Sequence, residues 1–285
     1  MLVRPLPLLD FFVVLVMLSI GLRVRGGELL DVLRNRALFT RTLLANCVLI
    51  PATGFLLVNI FPLTPDARLG ILLLAAIPGT PIALQFTRMA KTRLAFAAVM
   101  TFVLSLLGIV ITPLALEVMP QTVQRFERPI LNLAVSILLY IVVPLCTGLW
   151  MARRAPNLAP RVALPLEILA TVVFLFLMWE TRLARREALH AVAGRGTILA
   201  MFSLLVISMT IGWFIGGPDG ESRRVLATCA GMRNVIVVLY VARYCFPGTN
   251  LYMIPIAYLS LMVPTNMLFH LAFRAWHKAQ AAATQ

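Results

Sequence analysis

Residues 72–86 read LLLAAIPGTPIALQF, an apolar stretch suited to the interior of a bilayer with Pro78-Gly79-Thr80-Pro81 in its middle. A proline inside a helix removes a backbone hydrogen bond and clashes with the preceding turn, at about 3 kcal/mol or more. Two prolines flanking a glycine and a threonine therefore predict that the helix stops here. In hydrocarbon no water can take the freed N–H and C=O groups, so a break is tolerated only where protein or a wet cavity surrounds it. Whatever satisfies those groups has to come from elsewhere in the chain or from a cavity.

The surrounding composition sets the class. The chain has 285 residues and is 61% hydrophobic, with a mean hydropathy of +0.93; a soluble domain would be nearer half apolar. Apolar runs stand at 11–20, 42–61, 69–86, 94–119, 130–151, 162–179, 197–217, 225–246 and 251–273. Most reach the roughly 20 residues that cross about 30 Å of hydrocarbon. The expectation is an all-α integral membrane protein of about nine transmembrane helices, one domain over 1–285, embedded in a lipid bilayer.

The net charge of +14 could suggest a nucleic-acid partner, but its placement argues against one. Alternate connections carry Arg23, Arg25, Arg34, Arg36, Arg41, Arg88, Lys91, Arg93, Arg153, Arg154, Arg161, Arg223 and Arg224, and the C-terminal tail adds Arg274 and Lys278. The opposite side carries Arg4, Arg68, Arg125, Arg128, Arg182, Arg185, Arg186 and Arg195. The positive-inside rule then places the N-terminus outside and the C-terminus in the cytoplasm, against the dissent of the arginine-rich loop around 180–196. Arginine outnumbers lysine 23 to 2, the usage of a GC-rich bacterial genome, and the expected location is a bacterial inner membrane. No cleavable signal peptide stands out. The segment 23–41 mixes leucines with arginines and reads as an amphipathic helix on the inner surface. Cys47, Cys146, Cys229 and Cys245 all fall in apolar runs and read as free thiols.

A second span is interrupted as well. In RVLATCAGMRNVIVVLYVARYCF, residues 224–246, Gly231 and the pair Arg233-Asn234 lie near the middle. One break falls in a span running inward and the other in a span running outward, slightly more than half the chain apart. With one further helix before residue 1, each would be the fourth span of a five-span half, and odd-numbered halves have opposite topology. That is the plan of inverted-repeat transporters, whose sites lie where broken helices meet near the midplane. The second half-helices, about 82–90 and 233–246, would turn N-terminal N–H groups and positive dipole ends toward a cavity suited to a small organic anion.

These residues also carry a family likeness. Residues 17–119 resemble the bile acid:sodium symporter family, with Asn46 five before Pro51, then Pro78-Gly79, Ala90-Lys91 and Thr112-Pro113; CAGMRNVIVVLY, residues 229–240, is similar to that family's Gly-Met-Gln-Asn stretch. The resemblance implies a fold of inverted repeats, nine helices with the first absent, in which two broken helices cross in a core domain (41–119 and 197–273) that moves against a panel domain (5–22 and 129–180). It also marks departures. Where sodium-using members have a Ser-Asn pair after the first break, this chain has Ala83 and Leu84; Cys229 replaces a glutamate, Arg233 a glutamine, and Asn46 a glutamine. The side chains of alanine, leucine and cysteine supply no oxygen ligand, and that of Met232 between Gly231 and Arg233 offers only sulfur. No cofactor is expected, and sodium coupling is not.

Arg233 is the most informative residue. Charge near the centre of a span costs about 2.5–3.5 kcal/mol on insertion scales and usually faces a cavity or a partner. It replaces the cation, neutralising carbonyl ends of the broken helices, or it binds the substrate's carboxylate or sulfonate bidentately; snorkelling to an interface is the third reading. Asn46, Thr80, Gln85 and Asn234 beside the breaks are candidate substrate contacts, with helix capping as the plain alternative. Glu167 is the best-placed carboxylate for proton coupling, with an interfacial acid close to Arg161 as its alternative; Asp10 and Glu117 sit near span ends. Gly212 and Gly216 form a GxxxG pattern that fits close helix packing or dimerisation, and the oligomeric state is not legible. His190, His270 and His277 show no ligand spacing, so no metal site is expected. Paired intramembrane aspartates, a Ser/His dyad, HExxH, G-x-S-x-G and a Walker motif are all lacking, which argues against an enzyme. The reading is a secondary transporter of a small organic anion working by alternating access. Sodium symport through backbone oxygens, and a transport fold kept as a sensor, are the alternatives.

Overall fold

A computed structural model describes residues 6–23, 34–80, 82–89, 138–180, 182–194, 196–246 and 249–283, with scattered helical positions between 96 and 135. Every regular element among the described residues is helical: α1 (Leu6–Arg23), α2 (Arg36–Leu44), α3 (Ile50–Ile60), α4 (Pro65–Ala76), α5 (Ile82–Met89), α6 (Val143–Arg154), α7 (Ala159–Glu180), α8 (Arg182–Val192), α9 (Thr197–Ile215), α10 (Gly220–Gly231), α11 (Val235–Cys245) and α12 (Met253–Ala283). Five helical stretches are long and apolar enough to cross a membrane: Arg36–Ile60, Ala159–Leu177, Thr197–Ile215, Gly220–Ala242 and Met253–Ala275. Of the other expected spans, the run at 11–20 lies in α1 and the run at 69–86 is divided between α4 and α5. The run at 94–119 lies largely outside the described residues.

Burial separates the lipid-facing helices from the centre. Phe55, Leu56, Leu175, Trp179, Phe214 and Leu268 are exposed although large and apolar, as hydrocarbon contact requires. The stretch Gly220–Ala242, through α10 and into α11, is by contrast almost wholly buried among the other helices.

Two prolines leave a common mark. A π-helical turn, Ala45–Leu49, precedes Pro51, and a second, Leu138–Val142, precedes Pro144. The proline ring excludes the carbonyl four residues back and offers no N–H, and a wider turn absorbs the misfit without ending the helix. The stretch from Arg36 thus runs unbroken to Ile60. Asn35 caps its start, its side chain accepting from Leu38 N at 3.2 Å. The surface helix expected over 23–41 is corrected over its last part, because nothing between residues 36 and 50 stops the helix from continuing into the span; residues 24–33 lie outside the described ones.

Glycines set the closest helix contacts. Gly21 of α1 and Gly148 of α6 face each other so tightly that a Cβ on either would strike the other helix's backbone. α1 also packs along α7. Gly212 of α9 and Gly216 at its C-terminal cap lie against the backbone of Leu226 and Arg223 on α10. Of the two readings of the GxxxG pattern, the structure uses it for packing inside the chain, where small residues let helices approach.

Candidate functional site: the crossing of the two breaks

Helix α4 ends at Ala76, and the chain runs extended through Ile77 before Gly79, whose φ of 77° is a left-handed conformation that glycine adopts without strain. α5 begins at Ile82. α10 ends at Gly231, passes through Met232 and Arg233, and resumes as α11 at Val235. The two interruptions lie against each other. Asn234 N donates to Ile77 O at 3.3 Å, and Asn234 Nδ2 donates to Gly79 O at 2.6 Å. Asn234 Oδ1 meanwhile accepts from Val237 N at 3.2 Å and so caps α11. Thr80 is buried and caps α5 in the same way, its Oγ1 accepting from Ile82 N at 3.4 Å.

The negative end of α4 is met by a fixed cation. Arg233 is fully buried. Its Nε donates to Leu74 O at 2.8 Å, its Nη2 to Ala75 O at 2.6 Å, and its Nη1 to Asn46 Oδ1 at 2.9 Å. Leu74 and Ala75 belong to the last turn of α4, where carbonyls lose their intrahelical donors and the helix dipole is negative. Asn46 reaches the site from the π-helical turn ahead of Pro51, and its Nδ2 donates back to Thr42 O at 3.0 Å. Among the described residues no carboxylate pairs with Arg233; oriented carbonyls and one amide oxygen receive its charge. The end of α10 is treated likewise, since Tyr258 Oη of α12 donates to Gly231 O at 2.9 Å. Each break therefore draws its hydrogen-bond partners from the other break and from α12 and the π-turn. That arrangement accounts for irregular backbone at membrane depth.

Most of the residues singled out in sequence meet here: Asn46, Thr80, Arg233 and Asn234 with Pro78, Gly79 and Gly231. Cys229 and Met232 are buried at the end of α10, and Ala83 is buried in the first turn of α5. Pro81 and the side chains of Leu84 and Gln85 lie outside the described residues. Glu167 is buried on α7 and held by Arg23 of α1, Nε to Oε1 at 2.6 Å and Nη2 to Oε2 at 2.8 Å. The packing of α1 along α7 carries Arg23 to the carboxylate. The four cysteines are free thiols. Tyr258 and the carbonyls of Leu74 and Ala75 went unrecognised in sequence, for backbone oxygens have no residue signature and Tyr258 is one aromatic in an apolar run.

Crossed, interrupted helices inside a bundle of lipid-facing spans define a multi-pass helical membrane protein. Comparison with known proteins names the group: the model of the Sodium Bile acid symporter family matches residues 10–192, more than half of the sequence, and the chain belongs to that family. Its members are transporters and not enzymes. A probable sodium/metabolite cotransporter, BASS3, of Arabidopsis thaliana chloroplasts is 20% identical over 77% of this chain and 52% of its own length. The hepatic sodium/bile acid cotransporter of Rattus norvegicus is 22% identical over 98% of this chain and 79% of its own. The chain thus spans about half of the first relative.

Proposed function

We propose that this protein is a secondary transporter carrying a small organic anion across a bacterial inner membrane by alternating access, without sodium coupling. The observation that supports it is the seat of Arg233, whose guanidinium donates to Leu74 O, Ala75 O and Asn46 Oδ1 at the end of α4. A carbonyl cluster at a helix C-terminus suits a cation, and here the cation is covalent and permanent. In this reading α1, α6 and α7 form the panel, and α2–α5 with α9–α12 form the core that moves against it. The N-termini of α5 and α11 turn their positive ends to the anion, with Thr80 and Gln85 kept as candidate contacts. Arg233, Asn46 and Asn234, already bonded within the protein, hold the crossing in shape. The N-terminus lies outside and the C-terminus in the cytoplasm.

The test is the melting temperature of the purified protein in detergent, with sodium titrated against choline, alongside uptake of labelled organic anions into proteoliposomes. A ligand bound only by the folded state raises stability by RT ln(1 + [L]/Kd). The expected result is no saturable sodium shift, with one or more organic anions giving both a shift and uptake. A saturable sodium shift would restore the second reading, sodium:anion symport through backbone oxygens, which the sodium in both relatives' names favours. Anion binding without flux would mark a sensor.

A further inference from the structure

The two π-helical turns each carry one side chain to the second broken helix. The turn Ala45–Leu49, ahead of Pro51, brings Asn46 to Arg233 at the break. The turn Leu138–Val142, ahead of Pro144, brings Tyr140 to Tyr240 of α11, with ring centroids 6.5 Å apart and planes 11° from parallel. Tyr140 is the residue four back from Pro144, whose carbonyl the proline ring excludes from the helical ladder. Single π-turns inside helices occur frequently at functional sites.

The first contact stays within one group of helices, and the second crosses between two. Among the described residues α1, α6 and α7 pack on one another, and the turn ahead of α6 packs on α1. In the other group α9 packs on α10 and α3, α3 on α4, and α11 on α4 and α12. Helix contacts between the two groups are sparse. Tyr140 belongs to the first group through its turn and is half-buried, whereas Tyr240 is buried in the second. Tyr240 stands five residues past Val235, about 8 Å along the helix axis, on the side of the crossing to which α11 runs. An offset stack at this spacing is attractive beyond the area it buries, yet weak enough to part and reform thermally.

We propose that the Tyr140–Tyr240 stack is a gate across the boundary between panel and core, closed in this structure on the α11 side of the crossing, which parts each time the core moves. The inference rests on the core and panel reading given under Proposed function. In that topology α11 runs outward, so the gate shuts the outer path to the crossing. Because helix contacts across the boundary are sparse, one aromatic stack carries a sizeable share of what holds the closed state.

The experiment places spin labels at two exposed apolar positions of the full chain, Phe55→Cys on α3 and Leu175→Cys on α7, after replacement of the accessible thiols Cys47 and Cys146 by serine. The distance distribution is measured by double electron–electron resonance in nanodiscs for this parent, for Tyr140→Phe and for Tyr140→Ala. Tyr140→Phe keeps the ring and should match the parent. Tyr140→Ala removes the stack and should raise the ratio of a second, open distance to the closed one about two- to tenfold, the effect of one aromatic pair. Should Tyr140→Ala fail to fold, Tyr140→Leu keeps apolar bulk without a ring and takes its place. Uptake of labelled organic anions into proteoliposomes is followed for the same chains, and its rate should change with loss of the ring and not with loss of the hydroxyl. A lower melting temperature with an unchanged distance distribution would make the pair ordinary packing and overturn the gate, as would a Tyr140→Phe chain that behaves like Tyr140→Ala. If the parent carries no anion, the transport reading fails, and the distances alone then decide for or against the gate.

Discussion

Arg233 and Asn46 stand 187 positions apart in the chain, and their side chains meet at 2.9 Å. The contact ties the π-helical turn of the second span to the break in the eighth expected one, and it completes a set of three acceptors around a fully buried guanidinium. Hydrogen bonds to a charged group contribute about 1.5–3 kcal/mol each, so the cluster is among the strongest local restraints at the crossing.

Arg233→Gln removes the charge and leaves the carbonyls of Leu74 and Ala75 short of donors. Each buried acceptor left without a donor costs about 1–3 kcal/mol, and a clear drop in melting temperature is expected. The vacated carbonyl cluster should also acquire a sodium-dependent rise in melting temperature that the wild type lacks. A variant that melts and transports like the wild type would end the idea of a built-in cation.

Asn46→Ala takes one acceptor from the guanidinium and keeps the two carbonyls. The expected loss is about 1–3 kcal/mol, below that of Arg233→Gln. In the double variant the two effects should fall short of their sum, because the residues share one contact. Additive losses in a thermal or denaturant melt would show that the two act independently.

Tyr258→Phe deletes a single hydroxyl and leaves Gly231 O without its donor. About 1–2 kcal/mol of stability should be lost with little change in helix content, as read by circular dichroism and melting. No loss would mean that the end of α10 finds another donor.

Gly212→Val pushes a branched side chain into the backbone of α10. Overpacking of this kind costs about 1–3 kcal/mol. The melting temperature should fall while the oligomeric state, measured by light scattering with detergent correction, stays as in the wild type. A change of oligomeric state at unchanged stability would return the GxxxG pattern to a dimer interface.

Glu167→Gln and Arg23→Gln should each destabilise the packing of α1 on α7, with a double-mutant coupling of about 1–3 kcal/mol for a bidentate pair. The pH dependence of uptake by folded Glu167→Gln protein should match that of the wild type. A lost or shifted pH profile would instead make Glu167 the proton site.

Several features were legible because they are properties of residue types along the chain. Apolar runs long enough to span hydrocarbon required membrane helices. The pairing of Pro78 with Gly79 fixed where α4 stops, because one residue lacks an N–H and the other admits a positive φ. Arg233 in an apolar run was legible as a charge that had to meet a ligand, a buried partner or an interface. The partner itself was not legible: Leu74 and Ala75 contribute carbonyl oxygens that every residue has, and only the end of α4 makes those oxygens available. Pro51 marked the second span, but that its misfit would appear as a π-turn aiming Asn46 at Arg233 depended on how the helices dock. Glu167 was legible as the best-placed carboxylate within a span, and its pairing with Arg23 came from the packing of α1 along α7. Sequence by itself determined the membrane class, the two breaks and the buried charge, since these follow from local backbone and solvation chemistry. Tertiary structure alone decided which groups meet, because hydrogen bonds between breaks more than 150 residues apart depend on distances that no local pattern encodes.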